Sequence, residues 1–225
     1  MLKKVLIYLT VFLIAPAIFV LGFVAFEGEK YAFISLAMAL AACLPFFLSF
    51  EKQADNAKKM IIIALMTALS VAGRFVFAPI PFFKPVTAII VITAIYLGAE
   101  AGFLVGALTA VISNFYFGQG PWTPLQMLVW GLLGFVAGLI SKPLLKSRLL
   151  LWLYGVLAGI AFSMLMDIWT VLWMDKGFNF TRYWAALLAA APVTAVYAVS
   201  NVIFLALLTK PIGSKLSRVK EKYGI

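Results

Sequence analysis

Asn114-Phe-Tyr-Phe-Gly-Gln-Gly-Pro-Trp-Thr-Pro-Leu-Gln126 is the one stretch in which amides, aromatic rings, glycine and proline crowd together between two apolar runs. The run before it, Ala101 to Phe117, and the run after it, Leu125 to Ile140, have the composition of membrane-spanning helices. Glycine and proline punctuate helices and favour turns. The stretch therefore reads as a loop joining two spans, and its hydrogen-bonding side chains mark it as the candidate binding region.

The rest of the chain supports a membrane setting. Hydrophobic residues make up 65% and charged residues 12% of the sequence, far from the balance of a water-soluble domain. Apolar runs of about 17 to 25 residues recur, which predicts an all-α, polytopic membrane helical bundle. No polar stretch is long enough to enclose a separate soluble core. There is no histidine and a single cysteine, Cys43, so an internal disulfide is excluded and the usual ligands for zinc, haem or copper are missing. Cys43 reads as a small hydrophobic residue. No resident cofactor or metal is expected.

Eight spans follow from hydropathy. Val5 to Ala25 follows the charged start Lys3-Lys4 and is longer than a signal-peptide core, so it reads as an uncleaved helix. After the polar turn Glu27 to Lys30 comes Tyr31 to Phe50, then the polar connector Glu51 to Lys59. Met60 to Phe77 leads into the turn Pro79-Ile-Pro-Phe-Phe-Lys-Pro85, whose prolines stop a helix and favour extended backbone. Val86 to Leu97 is a shorter span. Beyond the two runs already described lie the basic connector with Lys142, Lys146 and Arg148, then Leu149 to Met174, the turn Asp175 to Arg182, Tyr183 to Leu208, and a basic tail.

Charge sets the orientation. With the N-terminus in the cytoplasm, the inner segments hold Lys3, Lys4, Lys52, Lys58, Lys59, Lys142, Lys146, Arg148, Lys210, Lys215, Arg218, Lys220 and Lys222; the outer turns hold Lys30, Lys84, Lys176 and Arg182. That asymmetry follows the positive-inside rule and places both termini in the cytoplasm of a cell-membrane protein. The tail also has the charge to touch anionic lipid heads. The polar connector divides the chain into a two-helix N-terminal extension (1–57), a six-helix unit (58–210) and a basic cytoplasmic tail (211–225).

Hydrophilic residues inside the spans point to a site. Arg74 lies roughly 24 Å up its helix from Lys58, Asp167 about 28 Å from Arg148 and Asn114 about 21 Å from Glu100. All three fall in the outer half of a hydrocarbon core about 30 Å thick, level with the loop. A charge at mid-membrane costs about 2.5–3.5 kcal/mol on insertion scales, so these groups should face a cavity or each other. In one reading Arg74 and Asp167 are charged walls of an outward pocket. Asn114, Gln119 and Gln126 then supply hydrogen bonds, and Tyr116, Trp122 and Trp130 flat apolar surface. In the other, Arg74 pairs with Asp167 or snorkels to the headgroups, and the rings form an interfacial belt. Asn201, near the midplane, suits an interhelical hydrogen bond.

Small residues recur at four-residue spacing: Ala64, Ala68 and Ala72; Gly102, Gly106 and Ala110; Gly134 and Gly138. Such stripes let helix backbones approach closely, and the glycines are assigned to packing within the bundle. Ala64 and Ala68 lie in the cytoplasmic half, where a partner helix could slide along a smooth strip.

These features together resemble the substrate-binding S component of energy-coupling factor (ECF) vitamin transporters. The six-helix hydrophobic unit from Lys58 to about Lys210, the Ala64-x-x-x-Ala68 pattern on its first helix and the long outer loop after its third carry the likeness. The phrase Asn114 to Met127 is similar to S components assigned to cobalamin uptake; the two leading helices depart from the six-helix pattern. The resemblance implies capture of a vitamin from outside, in a pocket closed by the loops after the first and third helices of the unit. It also implies docking, through Ala64 and Ala68, on a transmembrane coupling subunit with two cytoplasmic ATPases, and toppling to release substrate inward. The chain has no phosphate-binding loop of its own, so ATP would be used by the partners. Corrin amides would suit Gln and Asn beside Trp, but a deazapurine precursor, riboflavin or another vitamin would also suit them.

Two other function classes fit the sequence less well. An intramembrane enzyme lacks support, since there is no histidine, no Gly-x-Ser-x-Gly and no paired carboxylates at helical spacing. A self-sufficient secondary transporter would show inverted repeats and broken helices at the midplane; Pro192 has no matching break elsewhere.

Overall fold

The computed structural model describes residues 2–26, 34, 37, 40, 41, 56–175 and 178–223. The described residues form helices joined by turns, with no strand. Helix α1 (Leu2–Leu9) passes through a π-helical turn at Thr10–Ile14 into α2 (Ala15–Phe26). Then come α3 (Asn56–Val76), α4 (Val86–Leu97), α5 (Ala99–Phe117), α6 (Thr123–Leu139), the short α7 (Ser141–Lys146), α8 (Arg148–Asp175) and α9 (Phe180–Tyr223). Five of the described helical stretches are long and apolar enough to cross a membrane, and α4 and α6 are shorter apolar helices. The expected second span, with Cys43, and the polar segments around Lys30 and Lys52 lie outside the described residues, except for Ile34, Ala37, Leu40 and Ala41, which are helical. Lys176 also lies outside them.

Large apolar side chains cover the outer surface: Ile61, Leu65, Val76, Leu149 and Leu188 are each more than 60% exposed. In water such a surface would drive association; lipid tails solvate it.

At the centre stands α4. Its twelve residues are apolar on every side and almost all buried, the signature of a helix packed all round. At about 1.5 Å per residue it spans roughly 18 Å, too short for the hydrocarbon core. The shortfall is made up at its outer end by the non-helical segment 77–85, whose last residues, Phe83 to Pro85, turn into the bundle while residues 78–82 stay exposed. Irregular backbone at that depth is tolerated only where protein satisfies its polar groups. Ser200 of α9 does so: its hydroxyl accepts from the Lys84 backbone N–H at 2.9 Å and donates to the Lys84 carbonyl at 3.0 Å.

Helices α5 and α6 cross at close range because the glycine stripes meet. A methyl group on Gly102 would lie 2.8 Å from the Gly134 carbonyl oxygen, and one on Gly106 would lie 2.7 Å from the Gly131 nitrogen. The first helix leans on this pair, with Tyr8 and Phe12 edge-on to Phe135 at 5.8 and 5.5 Å. Helix α8 pairs with α9 through Asn201, whose amide donates to the Gly155 carbonyl at 3.0 Å, and through Thr194, whose hydroxyl donates to Ser163 at 2.7 Å. Asn201 thus makes the interhelical bond its position suggested.

The C-terminal segment differs from a simple charged tail. Helix α9 continues through Pro211 to Tyr223. Gly213 sits against the Tyr96 ring, Leu216 is buried, and Lys220 donates to the Tyr96 carbonyl at 3.3 Å. Helical periodicity in Gly213, Leu216 and Lys220 holds this turn on the bundle, which the density of charge in the sequence concealed.

Candidate binding cavity

A cavity of about 200 Å³ opens at the level of the outer loops, lined by Arg74, Phe82, Lys84, Val86, Thr87, Gln126, Trp130, Gly159, Phe162, Tyr197 and Asn201. Four features build it: the outer end of α3, the segment 77–85 with the start of α4, the outer half of α6, and the α8/α9 pair.

The polar wall depends on Asn114. It is fully buried, and its carbonyl oxygen accepts from Arg74 Nη1 at 2.7 Å. Its amide nitrogen donates to Thr123 Oγ1 at 2.9 Å and to Gln126 Oε1 at 2.8 Å. Arg74 Nη1 also donates to the Ser113 hydroxyl, which in turn donates to the Thr109 carbonyl at 2.6 Å. The chain thus holds an arginine at membrane depth by neutral hydrogen-bond acceptors and by rings: its guanidinium carbon lies 4.6 Å from the Phe117 centroid and 5.4 Å from that of Trp130. Cation–π contacts of this kind contribute about 0.5–2 kcal/mol each.

The flat wall is aromatic. Trp130 stacks on Phe162 with centroids 5.3 Å apart and planes 16° off parallel. Tyr197 meets Phe162 edge-on at 5.2 Å and Phe82 edge-on at 5.8 Å. Phe82 adopts φ 61°, a left-handed conformation that costs a non-glycine residue about 1–3 kcal/mol. The strain is placed where the turn presents Phe82 to the cavity.

Lys84 completes the rim. Its ammonium lies 5.2 Å from the Phe117 centroid. Burial, and then the neighbouring Arg74 charge, hold its pKa below that of an ordinary lysine.

The residues singled out in the sequence divide here. Arg74, Gln126 and Trp130 line the cavity, and Asn114 braces it from behind. Tyr116 is 72% exposed and packs on Phe75 at 4.7 Å, turned from the cavity. Gln119 ties the loop down by donating to the Val111 carbonyl at 2.9 Å. Trp122 covers Gly120 and meets Trp169 edge-on at 5.7 Å. Asp167 makes no ion pair with Arg74 among the described residues, and its Oδ2 is buried without a hydrogen-bond partner; the ion pair near that end of α8 joins Arg182 to Asp175 at 2.6 Å. Sequence reasoning did not place Phe82, Lys84, Thr87, Phe162 and Tyr197 at the site. For Tyr197 a signal existed: it lies four residues before Asn201, on the same helix face.

A second feature lies on the outer face of α3. Ala64, Ala68 and Ala72 are exposed, and with Thr67, Val71, Phe75, Leu108 and Ile112 they line an open groove of about 460 Å³.

Comparison with known sequences gives consistent matches. The sequence model of the family described as ECF-type riboflavin transporter, S component, matches residues 54–217, a range that holds both the cavity and the groove and leaves α1 and α2 outside. A UPF0397 protein of Aliivibrio salmonicida (strain LFI1238) is 26% identical over 182 residues, covering 74% of this chain and 94% of that protein. No solved structure matches the chain.

Proposed function

Because this chain belongs to the family of ECF-type riboflavin transporter S components, we propose that it is the substrate-capturing subunit of an ECF importer, binding a vitamin-class molecule from outside the cell. The observation that carries the reading is the cavity between Arg74, Trp130 and Tyr197, covered by the segment after α3 and next to the loop after α5. A solute entering there would meet rings for stacking and a pre-oriented polar wall, the usual make-up of a small-molecule site.

Two substrate classes enter the proposal. The loop phrase from Asn114 to Met127 points to a corrinoid; the family's description points to a flavin. An enclosure of about 200 Å³ falls below the about 300–1,000 Å³ of sites for drug-sized ligands. That supports a vitamin with a flat ring system over a corrin macrocycle, which would require the covering segments to swing apart. Slippage of the 77–85 segment would enlarge the site, since its hydrogen bonds to α9 are those of the one Ser200 hydroxyl and its remaining hold is the apolar ring packing of Phe77, Phe82 and Phe83 on Tyr197 and Phe204.

Delivery follows from the groove. Ala64 and Ala68 expose a smooth apolar strip along α3 on which a helix of a transmembrane coupling subunit would dock, with two cytoplasmic ATPases supplying the energy. Both termini would lie in the cytoplasm, where the Lys142–Arg148 connector and the Lys215–Lys222 turns of α9 place their charge. Affinity purification of the tagged full chain from its native membrane tests the reading. A coupling subunit and two ATPases are expected to co-purify; uptake by the chain alone in liposomes would instead identify a self-sufficient carrier.

A further inference from the structure

The cavity has charge of one sign. Arg74 and Lys84 both line it, and no aspartate or glutamate does. Among the described residues neither cation forms an ion pair. Arg74 makes its two hydrogen bonds through Nη1, to Ser113 and Asn114, so the donors on Nε and Nη2 have no protein acceptor among the described residues. The acceptors it does have are a hydroxyl and an amide, which satisfy donors without neutralising charge.

Both cations also rest on one ring. The Arg74 guanidinium and the Lys84 ammonium lie 4.6 and 5.2 Å from the Phe117 centroid. Two half-buried like charges are thus held together, against their repulsion and against the cost of removing each from water. Phe117, with Trp130 on the guanidinium at 5.4 Å, attracts these cations but carries no net charge to neutralise them. The first residues of α4, Val86 and Thr87, open into the same space, and the start of a helix carries partial positive charge as well.

We infer that the molecule held in this cavity is an anion: a flat ring lying against Trp130 and bearing a carboxylate or phosphate that bridges Arg74 and Lys84. The inference rests on the cavity being the capture site. Arginine suits the bidentate half of such a contact and lysine the point-charge half. Asn201 and Gln126, on the same cavity, are left to read the ring's polar edge.

The test compares acids with neutral partners on the same ring, using the purified full chain in detergent. Nicotinate is titrated against nicotinamide, and pyridoxine phosphate against pyridoxine, with tryptophan fluorescence or calorimetry as the signal. At least one acid is expected to bind about tenfold or more tightly than its neutral partner; which pair shows the gap separates carboxylate from phosphate. Lys84→Gln is expected to close most of that gap, and Lys84→Arg, which also serves as the folding control, to restore it. Equal affinities, a neutral preference, no binding of either acid, or a gap indifferent to Lys84→Gln overturns the inference. Association with the coupling subunit and ATPases is measured on the same preparation. If association persists while the acids show no advantage, only the charge inference fails. If association is absent, the capture-subunit reading itself fails.

Discussion

Arg74 of α3 donates to Asn114 of α5 at 2.7 Å, and Asn114 passes the contact on to Gln126 of α6 at 2.8 Å. One buried amide thereby links three helices and aims a cation into the cavity. The fold offers Asn114 no water, so every one of these bonds must be made within the protein.

Replacing Asn114 by leucine should be costly. It leaves a buried guanidinium donor and the Gln126 amide short of a partner, at about 1–3 kcal/mol for each unsatisfied group. A lower melting temperature in detergent is expected, together with loss of ligand binding. Asn114→Asp should behave differently: a carboxylate beside Arg74 would neutralise it and, with the Thr123 hydroxyl and a turned-over Gln126 amide donating to the oxygen that replaces the Asn114 nitrogen, would preserve stability while weakening binding of anionic probes. Thermal unfolding and titration of both variants check this, and equal behaviour of the two would count against the assigned role.

Trp130 forms the flat wall through its stack with Phe162. Trp130→Ala should weaken ring-bearing ligands by about three- to tenfold, the scale of one aromatic pair at about 0.5–1.5 kcal/mol. Trp130→Phe should keep most affinity and lose much of the fluorescence response. Calorimetry separates the two effects.

On the far side of α3, Ala68→Trp would fill the groove between Ala64 and Ala72. Capture of the coupling subunit and ATPases should fall while vitamin binding by the isolated chain stays as it was. A parallel loss of both would contradict separate docking and binding surfaces.

The α5/α6 crossing has no room for a side chain. A methyl on Gly134 would meet the Gly102 carbonyl and lie 2.7 Å from Ile90 Cγ2. Gly134→Ala should therefore cost about 1–3 kcal/mol through overpacking, and Gly134→Val should reduce folded yield further. Size-exclusion profile and thermal stability give the readout.

Affinity for an anionic probe should also depend on pH. Lys84 has a lowered pKa, so it loses its proton earlier than an exposed lysine as pH rises, and anion affinity should decline on the alkaline side. Arg74 and Tyr197 are the other titratable groups on the cavity. Lys84→Arg should abolish the decline, which separates the lysine from them.

Much of this architecture was legible in the sequence because the membrane makes hydrophilic residues conspicuous. Arg74 and Asn114 stood out as expensive inside apolar runs and Gln126 as an amide of the loop between two such runs, and the three meet. Tyr116 did not join them because two residues along a helix is about 200° of rotation; Phe117, three residues from Asn114, faces the cation instead. Asp167 looked like the partner of Arg74 by depth alone, yet depth says nothing about azimuth. Phe162 and Tyr197 were invisible as lining because aromatic residues in a span read equally well as core. Their place follows from how α8 pairs with α9, through Gly159 and Asn201, a long-range contact that no local pattern encodes. Phe82 and Lys84 lay in a turn recognised by its prolines, but its entry into the bundle follows from the shortness of α4.

The most direct measurement is an equilibrium titration of the purified full chain, free of coupling subunit and ATPases, against a vitamin panel that includes flavins, corrinoids and small ring acids. Saturable one-to-one binding of at least one member is predicted, weakened by Trp130→Ala and lost in Asn114→Leu. Binding by none of them, or binding that both substitutions leave unchanged, would contradict a capture site between Arg74 and Trp130.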